Sequence, residues 1–279
     1  MFATFLILLI AKSEMEIITL NKFMALANGS DIIYSPIYYV HRDNTVGIQP
    51  KFIPPNHPYK LITHGGDDSI TKEHLYILND TNLIEWYGIN TLYSHPKLHP
   101  IPIGVKFLGD TNEWQFTKVI NMSVKKTKIL YTNFSLYAWL EERKLCNEAI
   151  NKLGYKNISD TIASIAPAVN YRDYLLDLAS HRFCVCPIGN GIDTFRLWEC
   201  LYMKCIPIMV KKINGTSIDY FQCYKNLCRD LPILWIDTWD DLKPNDLTPD
   251  KYNEIIADGD IKKLDFYYWK LKIIEPLRH

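Results

Sequence analysis

The sequence predicts an α/β protein of two parts, each built on strands joined by connecting segments. Three observations predict it. Short apolar runs bounded by Gly, Pro, Asn or Asp recur along the chain. In the second half such runs alternate with stretches of helical periodicity, the pattern of a parallel sheet covered on both faces. The chain has 279 residues, 48% of them hydrophobic and 22% charged, an ordinary globular composition that suits one large or two small domains.

The elements follow in order. The apolar stretch 2–11 is shorter than the roughly 20 residues a bilayer span needs. It has no basic segment before it and no clean small-x-small site before Lys12. It reads as a secretory signal, a first buried strand, or extra residues at an uncertain start. A cytoplasmic location is favoured, a secretory-pathway lumen if the stretch is a signal or anchor, and membrane association stays open. Residues 31–36 (DIIYSP) read as a strand ending in a turn, and 59–63 (YKLIT) as a second, followed at once by HGGDDS. Residues 74–78, 83–87 and 99–105 read as further short strands.

From Lys125 the pattern changes. Residues 127–133 form a buried-strand run. Residues 139–153 show helical periodicity, with Leu140, Leu145, Ala149 and Ile150 on one side and Gly154 as C-cap. Helices are expected at 171–179, 194–203 and 250–257, and strands at 182–186, 206–210 and 232–236. The break between the parts falls near 112–124. The amphipathic, aromatic stretch 261–274 is suited to packing back on the first part. The expected division is 1–120, 121–260 and a C-terminal helix in 261–279. No internal repeat or low-complexity tract interrupts it.

Lysine plus arginine and aspartate plus glutamate each total 31, so the formal net charge is zero. No global basic field exists to hold a nucleic acid, although a local cationic pocket for a diphosphate is compatible. The seven cysteines (Cys146, Cys184, Cys186, Cys200, Cys205, Cys223, Cys228) form no C-x-x-C pair and no zinc spacing. Cys184 and Cys186 alternate in an apolar run and so share a strand face. Most of the cysteines read as small buried hydrophobes in a reducing compartment. Asn-x-Ser/Thr sequons at Asn28, Asn79, Asn121, Asn133, Asn157 and Asn214 occur in an Asn-rich chain, where chance produces many.

Chemistry concentrates in 181–210, HRFCVCPIGNGIDTFRLWECLYMKCIPIMV. A buried strand runs into a loop with Pro187, Gly189, Asn190 and Gly191. A helix opens with Asp193 or Thr194 as N-cap, and a second buried strand follows. Ligands of open α/β sheets bind beyond the carboxyl ends of strands. Glycines admit close backbone approach, and a helix N-terminus favours an anion. Arg196 in the first helical turn is mildly unfavourable beside the positive end of the dipole, and an anion between them relieves that conflict. A guanidinium forks onto a diphosphate. Glu199, three residues on, shares its helical face and suits ribose hydroxyls. An exposed Arg–Glu helix pair explains the same spacing equally well.

The segment resembles the donor-binding motif of exostosin-like glycosyltransferases, through Cys186-Pro187, Gly189 to Gly191, Arg196, Glu199 and Cys205-Ile206-Pro207. It is more distantly similar to the fucosyltransferase donor motif. The detailed likeness covers about thirty residues (the physics is that of a helix-terminus anion site). It departs at Lys204, a position often Gly in that family. The resemblance implies a GT-B-like fold, two Rossmann-like domains facing across a cleft. Residues 1–120 would be the acceptor side and 121–260 the nucleotide-sugar side. It further implies that Arg196 contacts the donor diphosphate and Glu199 the ribose, and that transfer inverts the anomeric centre. The expected substrates are a nucleoside-diphosphate sugar and a hydroxyl on a glycan or glycoprotein acceptor, with no tightly bound cofactor.

Other residues support this site. Asn190, Gly191, Asp193 and Thr194 line the loop. Asn133 and Ser135 follow the strand at 127–133. Arg143 on the next helix either adds charge near the phosphates or is solvated. Asp67, Asp68 and His64, in that order, are the candidates for the base that deprotonates the acceptor; the alternative for this loop is to cap a helix near Ser69. Asp258-Gly259-Asp260 is similar to a metal-binding D-x-D element but reads better as a turn, so no metal site is expected. A non-catalytic nucleotide-sugar or glycan-binding protein is the alternative function. A nicotinamide oxidoreductase lacks the G-x-G-x-x-G fingerprint.

Overall fold

A computed structural model describes residues 15–29, 31–36, 52–105, 110–136, 138, 140–158, 170–213 and 219–275. The apolar stretch 2–11 and the sequon at Asn214 lie outside these residues. The first half contains α1 (Leu20–Met24), β1 (Ile32–Pro36), β2 (Tyr59–His64), α2 (Leu75–Leu78), β3 (Leu83–Gly88), β4 (Leu98–Pro100) and α3 (Asp110–Ile120). The second contains β5 (Lys128–Tyr131), α4 (Leu140–Lys152), α5 (Tyr171–Ser180), β6 (His181–Val185), α6 (Phe195–Tyr202), β7 (Ile206–Val210), α7 (Tyr220–Cys228), β8 (Leu234–Ile236), α8 (Pro249–Asp258) and α9 (Phe266–Ile274). Among the described residues no helix is long and apolar enough to cross a membrane.

The protein is α/β, with two four-stranded sheets ordered β1-β2-β3-β4 and β5-β6-β7-β8. All six strand pairings are parallel. Neither order reverses, so no crevice opens between diverging strands within a sheet. The carboxyl edges of the two sheets instead meet each other, as described below.

Alternation along the strands assigns the layers. In β6 the Phe183 ring packs edge-on against Tyr252 of α8, with centroids 6.0 Å apart. Its neighbour Cys184 points the other way, toward Cys200 of α6. Helices therefore cover both faces of the second sheet. In the first sheet Tyr59, Leu61 and Trp86 pack with Ile77 and Leu78 of α2 in a small separate core. Ile62 and Tyr87 face inward and join one large core with Phe183, Val185, Leu197, Trp198 and Ile206 of the second half. The two halves thus share their main apolar interior, where burial contributes most stability.

Helix α9 lies on the first sheet. Lys60, buried on β2, donates to the carbonyls of Ile273 and Glu275, each at 2.9 Å. It thereby satisfies two free carbonyls at that helix C-terminus. Tyr87 Oη donates to Lys272 O at 2.9 Å, and Phe266 meets Phe23 edge-on at 5.2 Å.

Two expectations are corrected, and a third stretch is helical. Residues 74–78 form a short helical segment, with α2 at its core, rather than a strand. β2 and β3 pair directly, so this stretch has no ladder to join and serves as the crossover that parallel strands require. Of 99–105 only the start is ladder, because β4 ends at Pro100. Pro100 and Pro102 lack the N–H that a ladder needs. The break expected in 112–124 is occupied by α3, whose Phe116 and Val119 are buried. That helix packs on α5, and Phe116 meets Tyr202 edge-on at 5.5 Å.

Gly154 adopts φ +82° after α4, as a C-cap glycine does. The turn expected at Asp258-Gly259-Asp260 is not formed: Asp258 closes α8 and Gly259 is extended, while Asp260 pairs with Lys262 at 2.7 Å. Lys204 has φ +53°. This left-handed conformation favours glycine.

Candidate functional site

The loop after β6 leads into α6, and Thr194 is the N-cap; its hydroxyl accepts from Leu197 N at 3.4 Å. Arg196, in the first turn, turns back toward the end of β5. Its Nη1 donates to Asn133 O. Its guanidinium lies 5.7 Å from the Tyr131 ring centroid and 5.6 Å from that of Tyr174, within cation–π range of both. Arg143 reaches the same edge from α4. Its Nε donates to Ile188 O at 2.8 Å and its Nη1 to Ser135 O at 2.5 Å. Burial, and then the nearby Arg196 charge acting against the pull of Glu142, leave the Arg143 pKa below its ordinary value.

Two partly buried guanidiniums therefore meet at the carboxyl ends of β5 and β6. Among the described residues neither has a carboxylate ion-pair partner; the oxygens that hold them are neutral main-chain carbonyls. The acid next in sequence, Glu142, turns away and accepts from Trp239 Nε1 at 2.7 Å. Asn133 and Ser135 contribute main-chain oxygens to this arrangement. The edge is thus electropositive, and its chemistry suits an anion with several oxygens.

Glu199 is buried beside this pair. Its Oε1 accepts from Tyr171 at 3.0 Å and its Oε2 from Tyr174 at 2.6 Å. Burial pushes its pKa up, against the opposing effects of those hydrogen bonds and of Arg196. Both carboxylate oxygens already serve the protein, so the expected ribose contact gives way to an internal role. Glu199 fixes Tyr174, and Tyr174 flanks Arg196.

The glycine loop also differs from the expectation of direct ligand approach. A Cβ on Gly191 would lie 2.5 Å from Asn90 Nδ2, so this glycine makes room for the opposite half of the protein. Asn90, at φ +51°, accepts from Asp193 N at 2.8 Å. Asp193 is buried and accepts from Ile103 N at 2.7 Å and Trp198 Nε1 at 2.8 Å. It bolts the halves together rather than facing a ligand, and burial pushes its pKa up to about 7. Gly189 is open by comparison; a Cβ there would meet nothing closer than 3.4 Å. Asn190 crosses the junction and donates to Asp67 Oδ2 at 3.0 Å.

The three candidate bases separate. Asp67 is exposed and Asp68 partly buried, both at the junction side of the first sheet. His64 is 1% exposed, stacks on Phe23 at 5.3 Å and bonds through Nε2 to Pro102 O at 3.1 Å. Its Nδ1 has no partner among the described residues, and burial pushes its pKa down to about 4. It is a neutral core residue and not a base for an acceptor.

Sequence reasoning missed Tyr131, Tyr171, Tyr174 and Asn90. The i, i+3 tyrosines at the start of α5 were the available signal, since such a pair shares one helical face. No protein-family model matches the chain, and no curated protein is similar enough to it to count as a relative.

Proposed function

We propose that the protein is a GT-B-like glycosyltransferase that moves a monosaccharide from a nucleoside-diphosphate sugar to a hydroxyl on a glycan or glycoprotein. One observation carries the reading: Arg143 and Arg196 converge at the carboxyl edge of a parallel sheet, and among the described residues they hydrogen-bond only to neutral main-chain carbonyls. A diphosphate supplies the missing negative charge, and charge-assisted bonds to it are about twice as strong as neutral ones. The two guanidiniums gain most as the leaving diphosphate develops its charge, a role that needs no metal ion. Tyr131 and Tyr174 keep Arg196 aimed at the edge, and Glu199 keeps Tyr174 in place. Asp67 is the preferred base, because it is exposed at the junction opposite the glycine loop. Asp68 is second.

The test is turnover. Incubation with UDP-, GDP- and CDP-linked sugars should release the nucleoside diphosphate in one of these cases, faster when an acceptor is added. Asp67→Asn should lower kcat at least tenfold while donor affinity stays within about twofold, since a general base contributes roughly 100-fold or more. Unchanged turnover in that variant removes Asp67 from the mechanism. The Asn190 contact on Asp67 favours one second reading, a nucleotide-sugar-binding protein that needs no base. Tight donor binding without turnover under any acceptor supports it.

A further inference from the structure

We propose that Cys184, Cys186 and Cys200 form a three-thiolate site for a soft monovalent cation of the copper(I) class. Alternation along the extended chain places Cys184 of β6 and Cys186, the first residue after it, on one face, and α6 crosses that face with Cys200. Cys186 Sγ and Cys200 Sγ are 3.8 Å apart, and all three sulfurs lie within 4.8 Å of one another. An ion bound in the plane of three sulfurs at roughly 2.3 Å holds them roughly 4.0 Å apart. The trio needs only sub-ångström adjustment to reach that arrangement.

The donor set selects the ion. Three thiolates are soft ligands and favour copper(I) among first-row ions. The group contains no histidine or carboxylate; the Cys205 thiol touches Cys200 but lies outside the set whose sulfurs are all within 4.8 Å of one another, whereas structural zinc sites are closed by four ligands. All three side chains are buried, away from bulk solvent. The Arg196 guanidinium interacts electrostatically with Cys184 and Cys186 and offsets part of the negative charge that three thiolates and one monovalent ion leave. Each thiol gives its proton to solvent as its sulfur takes the ion, and nothing is oxidised or reduced. Without the ion the competing arrangement is a packed trio of thiols, with Cys184 Sγ donating to Val185 O at 3.4 Å.

The test is an anaerobic titration of the full chain with copper(I) supplied as its coloured bicinchoninate complex. The chain is expected to withdraw one equivalent and bleach the complex. X-ray absorption on the loaded protein should show a first shell of three sulfurs. Cys223→Ser, at the partly exposed cysteine outside the trio, should retain the equivalent, and Cys200→Ala should bind at least tenfold more weakly. Should Cys200→Ala fail to fold, the shell of the wild-type chain decides by itself. No bleaching, a shell containing nitrogen or oxygen, a two-sulfur shell, or loss of binding in Cys223→Ser overturns the proposal.

Discussion

Asp193 and Arg196 stand three residues apart at the start of one helix, yet their charges are handled in opposite ways. Asp193 is buried, and each of its oxygens accepts a hydrogen bond, one from across the junction. Arg196 is partly buried and is held by a carbonyl and two aromatic faces. The first arrangement answers a stability problem, because a buried polar group left unpaired is costly. The second leaves a positive charge that, among the described residues, makes no carboxylate ion pair at the sheet edge. The difference teaches that a polar residue in the right loop is not yet a ligand group; its partners decide.

The comparison can be broken first at Asp193. Asp193→Ala leaves Ile103 N and Trp198 Nε1 unpaired in the interior, at a cost of about 3 kcal/mol. Thermal unfolding should fall by about 5 °C. A change under about 2 °C would show that the junction does not depend on this carboxylate.

Glu142 sharpens the contrast, since it precedes Arg143 yet faces Trp239. Burial pushes its pKa up from 4.5 to about 7, and its Oε2 has no partner among the described residues. The folded value is the higher one. The stability from the neutral form is therefore complete below about pH 4 and is lost as pH rises through about 7. Glu142→Gln keeps an acceptor for Trp239 and cannot ionise. Its melting temperature relative to wild type should improve by about 4 °C between pH 5 and pH 8. Parallel pH curves for the two proteins would contradict the assigned burial.

The smallest effect is expected at Lys204, at the far end of α6 from both charged groups. Lys204→Gly relieves the left-handed backbone and should add about 0.5–1 kcal/mol of stability, with donor binding unchanged. Destabilisation would mean that the lysine side chain stabilises more than its backbone costs.

These contrasts also explain what the sequence made legible. The second sheet was readable because each strand is a compact apolar run and each helix has a cap, as Thr194 and Gly154 illustrate. The stretch 74–78 misled because its apolar residues fit either period, and only the direct β2–β3 pairing settles the matter. Arg196 was legible from its place after the glycine loop. The internal use of Glu199 was not, because its tyrosine partners lie 25 and 28 residues away in the chain. His64 and Asp193 were misassigned for the same reason: burial is a tertiary property, and a polar residue beside glycines looks alike whether it meets solvent or Pro102 and Ile103.

Arg143 and Arg196 are proposed to act together as one diphosphate site. Titration calorimetry with UDP, GDP and CDP, on the wild-type chain and on Arg143→Ala/Arg196→Ala, tests it most directly. The wild type is expected to bind at least one of the three, more weakly as salt rises. The double variant should lose at least 100-fold in affinity, since each charge-assisted contact is worth about 1.5–3 kcal/mol. Equal affinity in the two proteins, or no binding to the folded wild type, would contradict it.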